Sequence, residues 1–133
     1  MPEAGVNGFI AGQYGVPVVM VAGDKAICDQ AGKIFDNIVT APVKEGIGTA
    51  ARMLHPEKAR ALIKDRTREA LSNLDQFKPW TISPPYTMAV TFKDEERAEN
   101  ASWIPGAEKT DNTTVSFTSD DWIEVLRFFK FAR

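Results

Sequence analysis

Histidine occurs once in the chain, as His55, and cysteine once, as Cys28. One histidine leaves a catalytic zinc short of partners, because such sites take three protein ligands, mostly histidine with Asp or Glu. It also limits nucleophilic catalysis: any serine–histidine or cysteine–histidine pair has to use His55, and no G-x-S-x-G elbow is present. A single thiol excludes an intrachain disulfide and makes a reducing cytoplasm the expected compartment. No apolar run approaches the ~20 residues of a membrane span, and the first residues lack a basic-then-apolar signal pattern. A net charge of -2 gives no electrostatic ground for nucleic acid or an anionic membrane as partner. There is no internal repeat and no low-complexity tract. What remains is the composition of a soluble globular protein, 44% hydrophobic and 26% charged. Its 133 residues suffice for one domain with a real core or for two very small ones.

The richest stretch is residues 3–24. Val6, Phe9, Ile10 and Tyr14 recur at the i, i+3, i+4 spacing of a core-facing stripe and predict a helix over 3–14. On its other side Ala4, Gly5, Gly8, Ala11 and Gly12 are all small. Glycine in a helix costs about 1 kcal/mol relative to alanine, so this repetition argues that another backbone comes very close. Glu3 and Asn7, four apart, stack on one face at the helix start. Gly15 can close the helix, and residues 16–22 then run as an apolar segment suited to a strand buried on both faces of a parallel sheet. Ligands in such sheets sit at the carboxyl ends of the strands, where Asp24 falls. Asp24 also suits a simple N-cap for a helix over 25–35, whose apolar stripe is Ala26, Ile27, Ala31 and Ile34.

A second strand is expected over 38–43, with Pro42 at an edge or bulge. Lys44 and the glycines of residues 44–48 then form a loop that resembles an anion site without any phosphate-binding glycine spacing. A helix over 49–54 precedes a longer scaffold helix over 56–74 that starts at Pro56. His55 reads as its cap and Cys28 as a small core residue. After the proline-rich break at 77–85, residues 86–93 alternate as a half-buried strand with Tyr86, Met88, Val90 and Phe92 on one face. A short polar helix over 94–103, a turn at 104–106, a hairpin through Asp111 and Asn112, and a terminal helix capped by Thr118 or Ser119 complete the chain. That helix has Trp122, Val125, Leu126 and Phe129 as its core stripe, leaving Phe128 and Phe131 for a second contact surface. The expected fold is α/β: a parallel-sheet portion flanked by helices over 1–77, then a small α+β portion with a hairpin and C-terminal helix over 78–133.

The run PEAGVNGFIAGQYGVPVVMVAGD resembles the G-E-x-G-(L/V)-N-x-x-x-A-G-x-x-G-V-P-V-x-x-V-x-G-D segment of the zinc-dependent D-aminopeptidases of the dipeptide-operon type. The similarity continues in order through APVKEGIG, LHPEKAR, FKPW, YTMAVTFKD, WIPGAEKTDNTTVSFTSDD and the terminal helix. A family member is about twice this long, so the chain resembles its carboxyl-terminal half. In that family, bound zinc activates water to hydrolyse peptides with an N-terminal D-residue, within a large ring-shaped homo-oligomer.

The resemblance implies that Glu3 is a metal ligand, one of a set whose other members, an Asp-x-Glu and two histidines, precede this region together with the catalytic histidine. Asn7 and Asp24 match family positions and are candidates for orienting the ligands. Lys44 is a candidate for stabilising an oxyanion if partly desolvated. Pro2 stands where the motif has glycine, with Met1 before it, and the chain reads as an internal-start or truncated product, inactive alone. Two rival readings stand beside this one: a non-catalytic oligomerisation or binding module, and an α/β domain that binds a small anion through Lys44 and the Gly46 to Gly48 loop.

Overall fold

A computed structural model describes residues 1–132. The chain forms two compact units, Met1–Ile82 and the residues from Ser83 onward. The division falls five residues later than the sequence suggests, for a packing reason. Trp80 lies edge-on to Phe9 and Phe35, with ring centroids 5.8 and 5.6 Å away, which ties the FKPW segment to the first unit.

In the first unit, α1 (Glu3–Gln13) leads to β1 (Met20–Asp24), α2 (Lys25–Ile34), β2 (Val39–Ile47), β3 (Ala50–Met53) and α3 (Pro56–Leu71), with a 3-10 turn at Leu74–Gln76. The face of α1 that packs is the small one. Gly5, Gly8, Phe9 and Gly12 are buried, whereas Tyr14 is 72% exposed and Val6 and Ile10 are half-buried, so the expected apolar stripe is corrected to this side. A Cβ on Gly12 would stand 1.9 Å from the carbonyl oxygen of Trp80, which is the close backbone approach that the glycines forecast.

β1 and β2 are parallel, in register from Met20 opposite Val39. The register slips so that Gly23 pairs with Pro42 and Asp24 with Lys44, passing over Val43. Pro42 has no N–H to offer the ladder, and a bulge beside it absorbs the defect. Helices cover both faces: a Cβ on Gly23 would meet Ile27 of α2 at 2.8 Å, and the Met20 side chain reaches α3, its sulfur 3.3 Å from Thr67 Oγ1, whose proton goes to the Ile63 carbonyl at 2.7 Å. Met20 and Gly23 are an odd number of residues apart and so face opposite ways, which puts α2 and α3 on opposite sides of the sheet. β1 is nonetheless only half-buried, and Val16, expected in the strand, precedes it and is 53% exposed. Among the described residues no strand pairs with the outer edge of β1.

Two expectations between residues 44 and 54 are overturned. Lys44 and Gly46 belong to β2, which continues past β1 to pair with β3, and residues 50–53 form that antiparallel strand instead of a helix. Gly48, at φ +58°, takes the first position of a two-residue hairpin turn, a conformation that alanine-like residues resist and glycine accepts. Helix α3 stops at Leu71, three residues early, and Leu71 and Leu74 are exposed.

The second unit contains β4 (Tyr86–Thr91), α4 (Glu95–Ser102), β5 (Ala107–Lys109), β6 (Thr114–Ser119) and α5 (Trp122–Phe131), with an antiparallel sheet ordered β4-β6-β5. Tyr86, Met88 and Val90 face inward as expected, and Thr87 with Thr118 and Thr91 with Thr114 bond across the outer face at 2.8 and 3.0 Å. Ala98 and Ala101 bring α4 against a core of Val115 and Phe128, and Phe128 stacks on Phe117 at 5.2 Å. Phe128 therefore belongs to the core and is not spare, while Phe131 is 75% exposed. The cap of α5 is Asp121, whose Oδ1 accepts from Ile123 N at 2.8 Å; Ser119 in turn accepts from Asp121 N. The whole is the expected α/β fold, in the form of two small sheets and five α-helices among the described residues.

Candidate functional site

Glu3 lies in the first turn of α1 and is exposed, a placement in which a carboxylate complements the helix dipole. Asn7, one turn on, is exposed as well, and its side chain makes no hydrogen bond to another described residue. The turn that carries Glu3 rests through Gly5 against Met1 and Ile34, the last residue of α2. Asp24 stands at the opposite end of that helix, about 15 Å of rise away for ten residues. There its Oδ1 accepts from Ile27 N at 2.9 Å, so it is the N-cap of α2.

Asp24 and Lys44 are brought together, as register partners across β1 and β2. Lys44 is exposed, not partly desolvated, and carries no ion pair among the described residues. It lines a groove of about 300 Å³ between α2 and the β2–β3 hairpin. Lys25 and Arg52 also border this groove, paired respectively with Asp29 and, at 3.7 Å, with Glu45. Hydrogen bonding and charge attraction from Asp29 raise the Lys25 pKa. Sequence reading missed Arg52, Met53 and Leu54 as groove residues because it placed them on a helix. The signal was available in Ile47-Gly48-Thr49-Ala50, a glycine-led two-residue turn between extended runs. The Gly46 to Gly48 stretch itself does not line the groove.

His55 caps α3, its Nδ1 accepting from Glu57 N at 3.4 Å, with the Glu57 carboxylate 4.0 Å away. Cys28 is buried at 4% exposure, and desolvation pushes its thiol pKa up, the reverse of what a nucleophilic cysteine needs. Among the described residues no three His, Cys, Asp or Glu side chains are placed to hold a metal ion. The residues present therefore do not fit a zinc site by themselves.

Residues 1–131 match the D-aminopeptidase family of peptidases, M55. The chain belongs to that D-aminopeptidase family. It is 40% identical over 127 residues to a D-aminopeptidase of Bacillus subtilis (strain 168), an alignment that takes in 94% of this chain and 46% of the relative. It also superposes on the zinc-dependent D-aminopeptidase DppA from Bacillus subtilis, a self-compartmentalizing protease, with a TM-score of 0.93 and 36% identity. That superposition covers 99% of this chain and 49% of DppA. The chain thus spans about half the length of the curated relative it matches. Among its described residues no helix is long and apolar enough to cross a membrane.

Proposed function

We propose that this chain supplies the carboxyl-terminal part of a zinc-dependent D-aminopeptidase that hydrolyses peptides with an N-terminal D-amino acid. The observation that carries this reading is the collinear match of residues 1–131 to the family, with a TM-score of 0.93 over half of DppA. In this reading Glu3 contributes one metal ligand from the start of α1, and Asn7, one turn along the same face, orients it. Asp24 acts at a distance by fixing the start of α2. The remaining ligands and the proton-transferring histidine come from the half of the family fold that the chain does not span. In this reading the chain alone is inactive.

Self-association belongs to the same proposal. Ile47 is 51% exposed at the end of β2, beside the hairpin turn and outside the groove lining, where a second copy would cover it. The reduced, buried thiol of Cys28 suits the cytoplasm.

A D-alanyl peptide assay tests the proposal. The purified chain is expected to show no turnover, and mixing it with a separately produced amino-terminal half of the Bacillus subtilis relative is expected to restore hydrolysis. Turnover by the chain alone would overturn the claim that its metal and acid-base groups lie elsewhere. A mixture that binds but never hydrolyses favours the non-catalytic module instead.

A further inference from the structure

We propose that the groove between α2 and the β2–β3 hairpin binds a small monocarboxylate that carries an apolar chain. This goes beyond the peptidase reading and requires neither metal nor turnover. The walls are apolar, formed by Pro42, Val43, Met53 and Leu54, and the volume of about 300 Å³ is at the small end of the range for ligand pockets. The rim is charged, and its balance selects the ligand. Asp29 is neutralised by Lys25 and Glu45 by Arg52, so the three cations and two carboxylates leave one positive charge over. That surplus sits on Lys44, the groove cation without an ion pair among the described residues.

One uncompensated ammonium beside an apolar wall matches one carboxylate on an aliphatic body. A phosphate dianion would meet a single free cation and gain nothing from the apolar side. The groove is also preorganised. Lys44 and Met53 are register partners in the paired strands β2 and β3, and the opposite wall is the first half of α2, held by its Asp24 cap. Binding therefore does not have to order the elements that form the site.

The test follows the Lys44 amide and the Met53 methyl group by NMR while the whole chain is titrated with hexanoate, hexanamide or inorganic phosphate. Hexanoate is expected to shift both signals at millimolar concentration, hexanamide to bind at least tenfold more weakly, and phosphate to leave Met53 unmoved. The variant Lys44→Met keeps an unbranched stem and removes the charge, and should weaken hexanoate about tenfold or more, the range for one charge-assisted hydrogen bond. Should that variant fail to fold, the hexanoate–hexanamide comparison on the unaltered chain decides alone. Equal binding of the acid and the amide, tighter binding of phosphate than of hexanoate, or no shift with hexanoate would overturn the assignment. Each result is independent of zinc and of the peptidase assay, so it leaves the reading of the D-aminopeptidase function untouched.

Discussion

Replacing Gly12 by alanine opposes two effects whose sizes can be worked out. Helix propensity alone favours the change by about 1 kcal/mol. Against it, the new Cβ would stand 1.9 Å from the Trp80 carbonyl oxygen and 2.9 Å from its carbon, both backbone atoms that no rotamer change can move aside. Either α1 or the segment carrying Trp80 has to shift. Over-packing of this kind costs about 1–3 kcal/mol. The shift also loosens the edge-on contacts of Trp80 with Phe9 and Phe35, each worth about 0.5–1.5 kcal/mol. The net expectation is a loss of about 2 kcal/mol, a fall in Tm of roughly 10 °C for a unit of this size. Gly32 in α2 is the control, because a Cβ there meets nothing within 4 Å. Gly32→Ala should gain about 0.5–1 kcal/mol and raise Tm by a few degrees. Thermal unfolding of both variants by circular dichroism reads the difference. If Gly12→Ala stabilised the chain as Gly32→Ala does, the claim that the small face of α1 is built for backbone contact would be refuted.

In the second unit, Phe128→Ala should cost about 3–5 kcal/mol as measured by denaturant unfolding, because it empties the core beside Val115. Phe131→Ala, at an exposed position, should stay within about 0.5 kcal/mol. Loss of the α2 cap in Asp24→Ala should destabilise by about 1 kcal/mol, with Asp24→Asn largely neutral, in the same assay; equal losses would point to a role for the charge itself. Backbone hydrogen bonds from Thr113 and Thr114 hold the Asp111 carboxyl below the usual carboxylate range. Because the folded value is depressed, the stabilisation of this turn is present above the unfolded pKa of about 3.9 and is lost as pH falls through the lower folded value. An NMR titration should therefore show the Thr113 and Thr114 amides unperturbed until the pH drops below that unfolded value. Titration at or above it would contradict the hydrogen bonding described.

Local chemistry was legible wherever it is local. Asp24 before an apolar-periodic run, Pro56 after His55, and the strict alternation from Tyr86 to Thr91 each specify their element within a few residues, and the structure agrees. The second hairpin was also readable, since Asp111 and Asn112 supply turn chemistry between strand formers. What misled was composition without context. Thr49 to Leu54 contains alanines, arginine and leucine, all good helix formers, but pairing with the extended β2 overrides that preference. Val6, Ile10 and Tyr14 looked like a core stripe because periodicity does not say which face of a helix is covered, and in α1 the glycines meet Phe35 and Trp80. Lys44 was read as a loop residue, whereas it lies in β2 and borders a groove. Its groove is formed by residues up to 29 and back to 25 on α2 and out to 54 past β3, a juxtaposition that only the folded chain makes. Glu3 is a candidate through the family pattern alone, since nothing in its surroundings marks it as a ligand.

The most direct test of the account is the zinc retained per chain after gel filtration. The account predicts far less than one equivalent on the isolated chain. It predicts metal uptake when the amino-terminal half of the Bacillus subtilis relative is added, and a clear reduction of that uptake by Glu3→Gln. A full equivalent of zinc held by the isolated chain, or uptake by the mixture that is indifferent to Glu3→Gln, would contradict it.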